Sequence, residues 1–122
     1  MAHYPGRAPI DAYGNGGFRF ADMSHRGSIL CLPSGIHGWD PPASAGALTV
    51  QHLAAVLAEK SDIGFLLLGT GATQVFPSRE IRIAFEAAGL GLEPMATGAA
   101  ARTYNVLLAE HRRVAAALIA VA

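Results

Sequence analysis

The sequence predicts an α/β domain, and three observations carry that prediction. From Ile63 to Val121 apolar stretches alternate with amphipathic ones in the order β-α-β-α-β. Of the strand segments, Ile63 to Leu68, Leu92 to Met95 and Val114 to Val121, the first and last are continuous apolar runs rather than alternating ones, the pattern of parallel strands covered on both faces. Ahead of them, shorter β-type runs flank a Gly14-Asn15-Gly16-Gly17 cluster, so a β-hairpin precedes the alternating half.

Residues 1–9 read as a loose arm and residues 10–122 as a single domain. Ile10 to Tyr13 and Phe18 to Phe20 are predicted strands, because Phe18 and Phe20 alternate with Arg19 and so bury one face. Gly27 to Leu32 is a third strand, stopped by Pro33, which has no N–H for a ladder. Pro33 to Ala47 is rich in Pro, Gly and Ser and reads as loop, with Trp39, the sole Trp, anchoring it to the core. Thr49 caps a first helix with Val50, Leu53, Val56 and Leu57 on one side. Ser78 caps a second, whose stripe is Ile81, Ala84, Phe85 and Ala88 and whose stop is Gly89. Thr97 caps a third, with Ala101, Tyr104, Leu107 and Leu108 inward and His111, Arg112 and Arg113 at the negative end of its dipole.

Composition narrows the function classes. Hydrophobic residues make up 52% of the 122 and charged residues 15%, enough for a core and too apolar for disorder. The formal net charge is +0 and eight of nine cations are Arg, without the basic stretch of a nucleic-acid binder. A lone Cys31 allows no internal disulfide and fits a reducing compartment. No signal peptide, presequence or membrane-length apolar segment is visible, so the expectation is a cytoplasmic protein.

Chemistry-bearing motifs are scarce. Gly69-Thr70-Gly71 closes a buried strand, but a dinucleotide fingerprint requires Gly at 74 and Gln74 stands there; no Lys follows for a P-loop. His3, His25, His37, His52 and His111 have no metal-ligand spacing, and neither cofactor nor metal is expected. Asp22, Ser24 and His25 are too close in sequence for a triad, and Ser34 lacks the first Gly of a nucleophile elbow. One cluster stands out. Ligand crevices in such folds lie beyond the carboxyl ends of parallel strands, here near Gly69, Thr70 and Gly71. Arg102, Thr103 and Asn105 in the third helix form the candidate wall of that crevice, with Arg102 offering a fork for an anion or tying down a loop.

Several short motifs occur together: Tyr13-Gly-x-Gly-Gly-Phe18, Gly35-x-x-x-Trp39-Asp40, Leu68-Gly-Thr-Gly71, Phe76-Pro77, Met95-x-Thr97 and Ala101-Arg-Thr-Tyr-Asn-Val-Leu107. In this order they resemble the domain-of-unknown-function family containing mitochondrial respiratory complex I assembly factor 3, over about residues 10 to 121. The resemblance implies a compact three-layer β/β/α domain with a mixed sheet. It further implies a non-catalytic assembly factor that acts through protein partners in the biogenesis of a membrane-bound complex, without established catalytic residues.

Two rival readings differ in class. One is a small-molecule binder or enzyme using the crevice of Gly69, Thr70, Gly71, Arg102, Thr103 and Asn105. The other is self-association into a homo-oligomer through Ala-rich helices or an open sheet edge.

Overall fold

The computed structural model describes residues 1–122. Nine strands and three α-helices follow in chain order: β1 (His3–Pro5), β2 (Ala12–Gly14), β3 (Gly17–Phe20), β4 (Met23–Arg26), β5 (Ser28–Leu32), β6 (Gly35–Trp39), α1 (Ala54–Ala58), β7 (Phe65–Gly69), α2 (Arg79–Ala87), β8 (Gly91–Met95), α3 (Thr97–Ala109) and β9 (Val114–Leu118). Six strands form one mixed sheet in the order β1-β6-β5-β9-β7-β8. Within it β9, β7 and β8 are parallel, and β5, β6 and β1 extend the sheet by antiparallel pairing. The strands β2, β3 and β4 make a separate antiparallel sheet.

Alternate residues of the large sheet feed two cores. Leu30, Leu32, Leu66 and Leu68 pack against Val56 of α1 and against Ile81 and Phe85 of α2. Ile29, Cys31, Leu67 and Ala116 face the other way, toward Phe18 and Phe20 of the small sheet and Ala100, Ala101 and Tyr104 of α3. All five residues of β5 and all five of β9 are buried, which is why, apart from Ser28, whose hydroxyl accepts the Ala120 N–H, their sequences are apolar. Burying each Leu side chain contributes about 2 kcal/mol. The small sheet with α3, the large sheet, and α1 with α2 thus form the three layers of the α/β fold.

Several local expectations give way. The segment read as loop, Pro33 to Ala47, contains β6, paired to β5 on one side and β1 on the other. Its glycines disguised it: at Gly35 (φ +133°) the Tyr4 carbonyl fills the space a Cβ would need, and at Gly38 the His25 ring lies 3.2 Å from it. Trp39 therefore sits in a strand, yet it is an anchor as expected, its indole N–H donating to the His52 carbonyl at 2.8 Å. The expected arm over residues 1–9 includes β1. β4 was hidden because the turn before it is made by Ala21 (φ 48°) and Asp22 (φ 61°), not by glycine. The first helix is broken, with 3₁₀ turns at Val50–Leu53 and Lys60–Asp62 around a short α1.

The second helix begins as expected, with the Ile81 N–H donating to Ser78 Oγ. The third does not. Ala96 holds the cap position and makes no side-chain cap bond, while Thr97 is the first helical residue and fully buried. Its hydroxyl donates to the Ile119 carbonyl at 2.7 Å and accepts the Gly71 N–H at 2.9 Å. Its own N–H donates to the Gly71 carbonyl at 2.8 Å. One threonine thereby ties the segments leaving β7 and β9 to the start of α3. At the other end of α3, His111 takes the left-handed conformation (φ 60°) more commonly held by glycine.

Two outcomes follow from this packing. Thr97→Val removes the acceptor for a part-buried N–H and the donor to Ile119, and lowers the unfolding free energy by about 2 kcal/mol in urea titration. Thr97→Ser retains most of it; equal stability of the Val variant would show that the tie contributes nothing. Burial raises the Cys31 thiol to about 12, with Arg7 partly opposing. A thiol whose folded pKa lies above its unfolded value stabilises fully below the unfolded value. That contribution disappears as the pH rises toward 12. Near neutral pH a thiol reagent should label Cys31 only at the rate of unfolding; rapid labelling of the native protein would contradict this placement.

Candidate functional site

The crevice expected beyond the parallel strands is largely closed by its own hydrogen bonds. Gly69, the last residue of β7, is buried because Thr97 crosses over it: a Cβ there would stand 3.2 Å from Thr97 Cα and 2.9 Å from Leu118 Cδ2. The Thr70 N–H donates to the Met95 carbonyl at 2.8 Å. Its hydroxyl lies 2.7 Å from the Thr73 carbonyl and 3.0 Å from that of Met95, and accepts the Val75 N–H at 3.0 Å. The Gly71 N–H is held by Thr97. The turn therefore satisfies itself, and its Thr70 and Gly71 N–H groups are not free to cradle a phosphate.

The helical half of the candidate site divides. Asn105 accepts the Ile10 N–H and donates to the Ile10 carbonyl, both at 2.8 Å, and so holds the chain entering β2 as a neighbouring strand would. Arg102 is exposed and donates to the Tyr13 hydroxyl at 3.0 Å. Its partner is a side-chain hydroxyl rather than a main-chain carbonyl. Thr103 is half-buried. Gly71 and Arg102 share a shallow hollow of about 390 Å³ with Tyr13, Ala72, Ala96 and Gly98. The Tyr13 hydroxyl rests on Gly98, where any Cβ would collide with it. Thus the structure brings Gly71 and Arg102 to one surface, while Gly69 and Thr70 lie beneath it and Asn105 holds Ile10.

Two further polar clusters depend on tertiary pairing. At the β5–β6 turn, Ser34 Oγ donates to Glu59 Oε2 at 2.6 Å and the Ser34 N–H to Glu59 Oε1 at 2.9 Å. The single hydroxyl proton is thereby committed, so the 2.8 Å contact between Ser34 Oγ and His37 Nε2 has the imidazole as donor. His3 Nε2 donates to the Ser34 carbonyl at 3.1 Å, and the His3 and His37 rings stack with centroids 4.3 Å apart. This is no hydrolase triad, because the carboxylate holds the serine rather than orienting the histidine. Nothing local in the sequence marks His3 and His37 as neighbours; only the β1–β6 register opposes them.

The second cluster is cationic. Arg7, His111, Arg112 and Arg113 line a cleft of about 310 Å³ together with Pro33, Leu108 and one acid, Asp62. Arg7 and Arg113 are each positioned by a carbonyl, of Val114 at 3.1 Å and of Ser61 at 2.7 Å, rather than by a carboxylate. An apolar groove of about 410 Å³ lies between α2 and β8, with Phe76 exposed at its rim. No three His, Cys, Asp or Glu side chains are grouped to hold a metal ion, and no helix is long and apolar enough to cross a membrane.

Known proteins align with this fold, two of the three that follow over nearly its whole length. An uncharacterised protein of Rhodobacter capsulatus is 40% identical over 116 residues, covering 95% of this chain and 87% of its own. A Francisella tularensis protein named 13 kDa major membrane protein is 38% identical over 69 residues, 57% of this chain and 54% of that one. The crystal structure of an outer membrane protein from Bartonella henselae superposes with a TM-score of 0.93 at 54% identity, covering 98% of this chain and 100% of that one. The family model described as Protein of unknown function (DUF498/DUF598) matches residues 10–119, from the residue held by Asn105 to the residue after β9. The chain belongs to that family.

Proposed function

We propose that this protein is a non-catalytic interaction factor that assists the biogenesis of a membrane-bound complex, docking peripherally from the cytoplasmic side. The observation carrying this reading is the cleft where Arg7, Arg112 and Arg113 converge beside the single acid Asp62, a concentration of cations on a chain of net charge +0. Such a surface suits the anionic face of a membrane, where each Arg contributes about 1 kcal/mol and salt weakens the attraction. The Bartonella relative is named an outer membrane protein and the Francisella relative a major membrane protein, names that support membrane association but not the choice of its cytoplasmic side. The commitment of Thr70, Thr97, Asn105 and Ser34 to structural hydrogen bonds supports the absence of catalysis. The partner proteins would be subunits of the complex being assembled.

A second reading follows from the exposure of Arg102 beside its hollow: a weak site for a small carboxylate or phosphate, with the Tyr13 hydroxyl as neighbour.

Vesicle sedimentation and NMR titration separate the two. For the first reading, the protein sediments with phosphatidylglycerol vesicles at low salt, and neither with phosphatidylcholine nor at high salt. Combined Arg112→Gln and Arg113→Gln changes weaken that binding by roughly thirtyfold, from about 1 kcal/mol per Arg. Unchanged binding by the double variant removes the cleft's role. In a deletion strain the level of the membrane complex falls; normal levels would argue against an assembly function. For the second reading, inorganic phosphate shifts the Gly71 and Gly98 amide resonances, and Arg102→Ala abolishes those shifts without unfolding the protein. Shifts confined to residues around His111 would assign the anion to the cationic cleft instead.

A further inference from the structure

β1 adds a sixth strand to the large sheet, ahead of the family-matched region that begins at Ile10. It is three residues long and largely exposed, and Pro5 ends it. It covers the outer edge of β6, whose Gly38 N–H donates to the Ala2 carbonyl at 2.7 Å. Close approach is possible because β6 has Gly35 and Gly38 facing it; a side chain at Gly35 would meet the Tyr4 carbonyl and His3 Nε2. The side chains that join the two strands are His3 and His37, opposite each other in register and stacked with an interplanar angle of 6°.

We propose that β1 is a pH-releasable cover on the edge of β6, latched by the stacked His3–His37 pair and loosened when both rings bind protons.

The hydrogen bonds define the charge states. Both Nε2 atoms already donate, His3 to the Ser34 carbonyl and His37 to Ser34 Oγ, so each Nδ1 is where an additional proton binds. One proton on the pair is compatible with Glu59, which faces His37 through Ser34. Two protons place like charges in rings 4.3 Å apart, and the arrangement that relieves them separates the strands. Burial and His3 hold His37 below its ordinary value, with Glu59 partly opposing. The covered state thus binds protons less readily than the uncovered one, so it is favoured above about pH 6.5 and lost as the pH falls.

The groups facing the latch are few. Glu59 reaches it from the end of α1. On the other side of β1, the Tyr4 hydroxyl meets His25 Nδ1 of β4 at 3.1 Å, a second titratable contact that a test must separate from the first. Release uncovers a row of main-chain donors and acceptors on β6, the kind of edge to which an extended segment adds as a strand.

Amide hydrogen exchange on the full chain, corrected for intrinsic rates, provides the test. Between about pH 7.5 and about pH 5.5, protection of the Gly38 amide falls about tenfold or more, while that of Leu66 to Leu68 in β7 is retained. His3→Gln keeps a donor, removes the second charge and abolishes the pH dependence; His3→Lys places a fixed cation there and lowers Gly38 protection already at the higher pH. His25→Gln leaves the pH dependence in place. Constant Gly38 protection across this range overturns the proposal, as does a pH dependence that survives His3→Gln or disappears with His25→Gln.

Discussion

The close approach of α3 to the centre of the large sheet is the constraint on which the remaining architecture depends. β9 lies between β5 and β7, and its Ala116, on the face toward α3, has no exposed surface. That small side chain lets α3 descend through Ala100 and Ala101, and Gly69 lets Thr97 cross the end of β7. Once α3 is that low, its first residue can reach both Gly71 and Ile119. The same helix then presents Asn105 to Ile10 and brings Tyr13 against Gly98, so the small sheet is located by α3 as well as by its own core contacts. Tyr104 fills the remaining depth completely, leaving its hydroxyl buried without a partner and, mainly by burial, harder to ionise than an ordinary tyrosine. Tight packing and chemical inertness at this centre are two aspects of one arrangement.

This explains which parts of the fold were legible. Within Ile63 to Val121, β7 and β9 could be read because a strand buried on both faces has a composition that few other elements share, whereas β8 is an edge strand with Gly91 and Glu93 exposed. Ser78 could be read because its cap bond is local, three residues long. β6 could not, since Gly35 and Gly38 answer to β1 and His25, which lie far away in sequence. Thr97 has the residue type of a cap but does not act as one, because two distant backbone groups occupy its hydroxyl. Local rules lose wherever a tertiary contact makes the stronger demand on a side chain.

The candidate site shows the same division. Gly71 and Arg102 were placed together by topology, since strand ends and helix starts meet at one side of a parallel sheet. Asn105 shares the helix with Arg102, yet a bond to Ile10 across 95 residues decides its role. The cationic cleft joins Arg7, between β1 and β2, to the residues after α3, and the histidine latch joins strands whose pairing no local pattern announces. Both clusters use residue types that look scattered in the sequence and become neighbours only through the sheet order.

The two edges of the large sheet differ in a way that bears on how this protein meets others. At β8, Pro94 has no N–H, and its carbonyl is taken by Gln74 Nε2 at 2.9 Å. That edge is closed by residues within the family-matched region, as expected where strand addition is to be avoided. The β6 edge has no such permanent block: its glycines admit a neighbouring backbone, and a short strand lies on it. A sheet with one edge blunted and the other covered by a segment held through few side chains has a single direction in which to grow. The position of the only stacked histidine pair on that cover, rather than anywhere on the blunted side, makes the covered edge the one whose accessibility can respond to solution conditions.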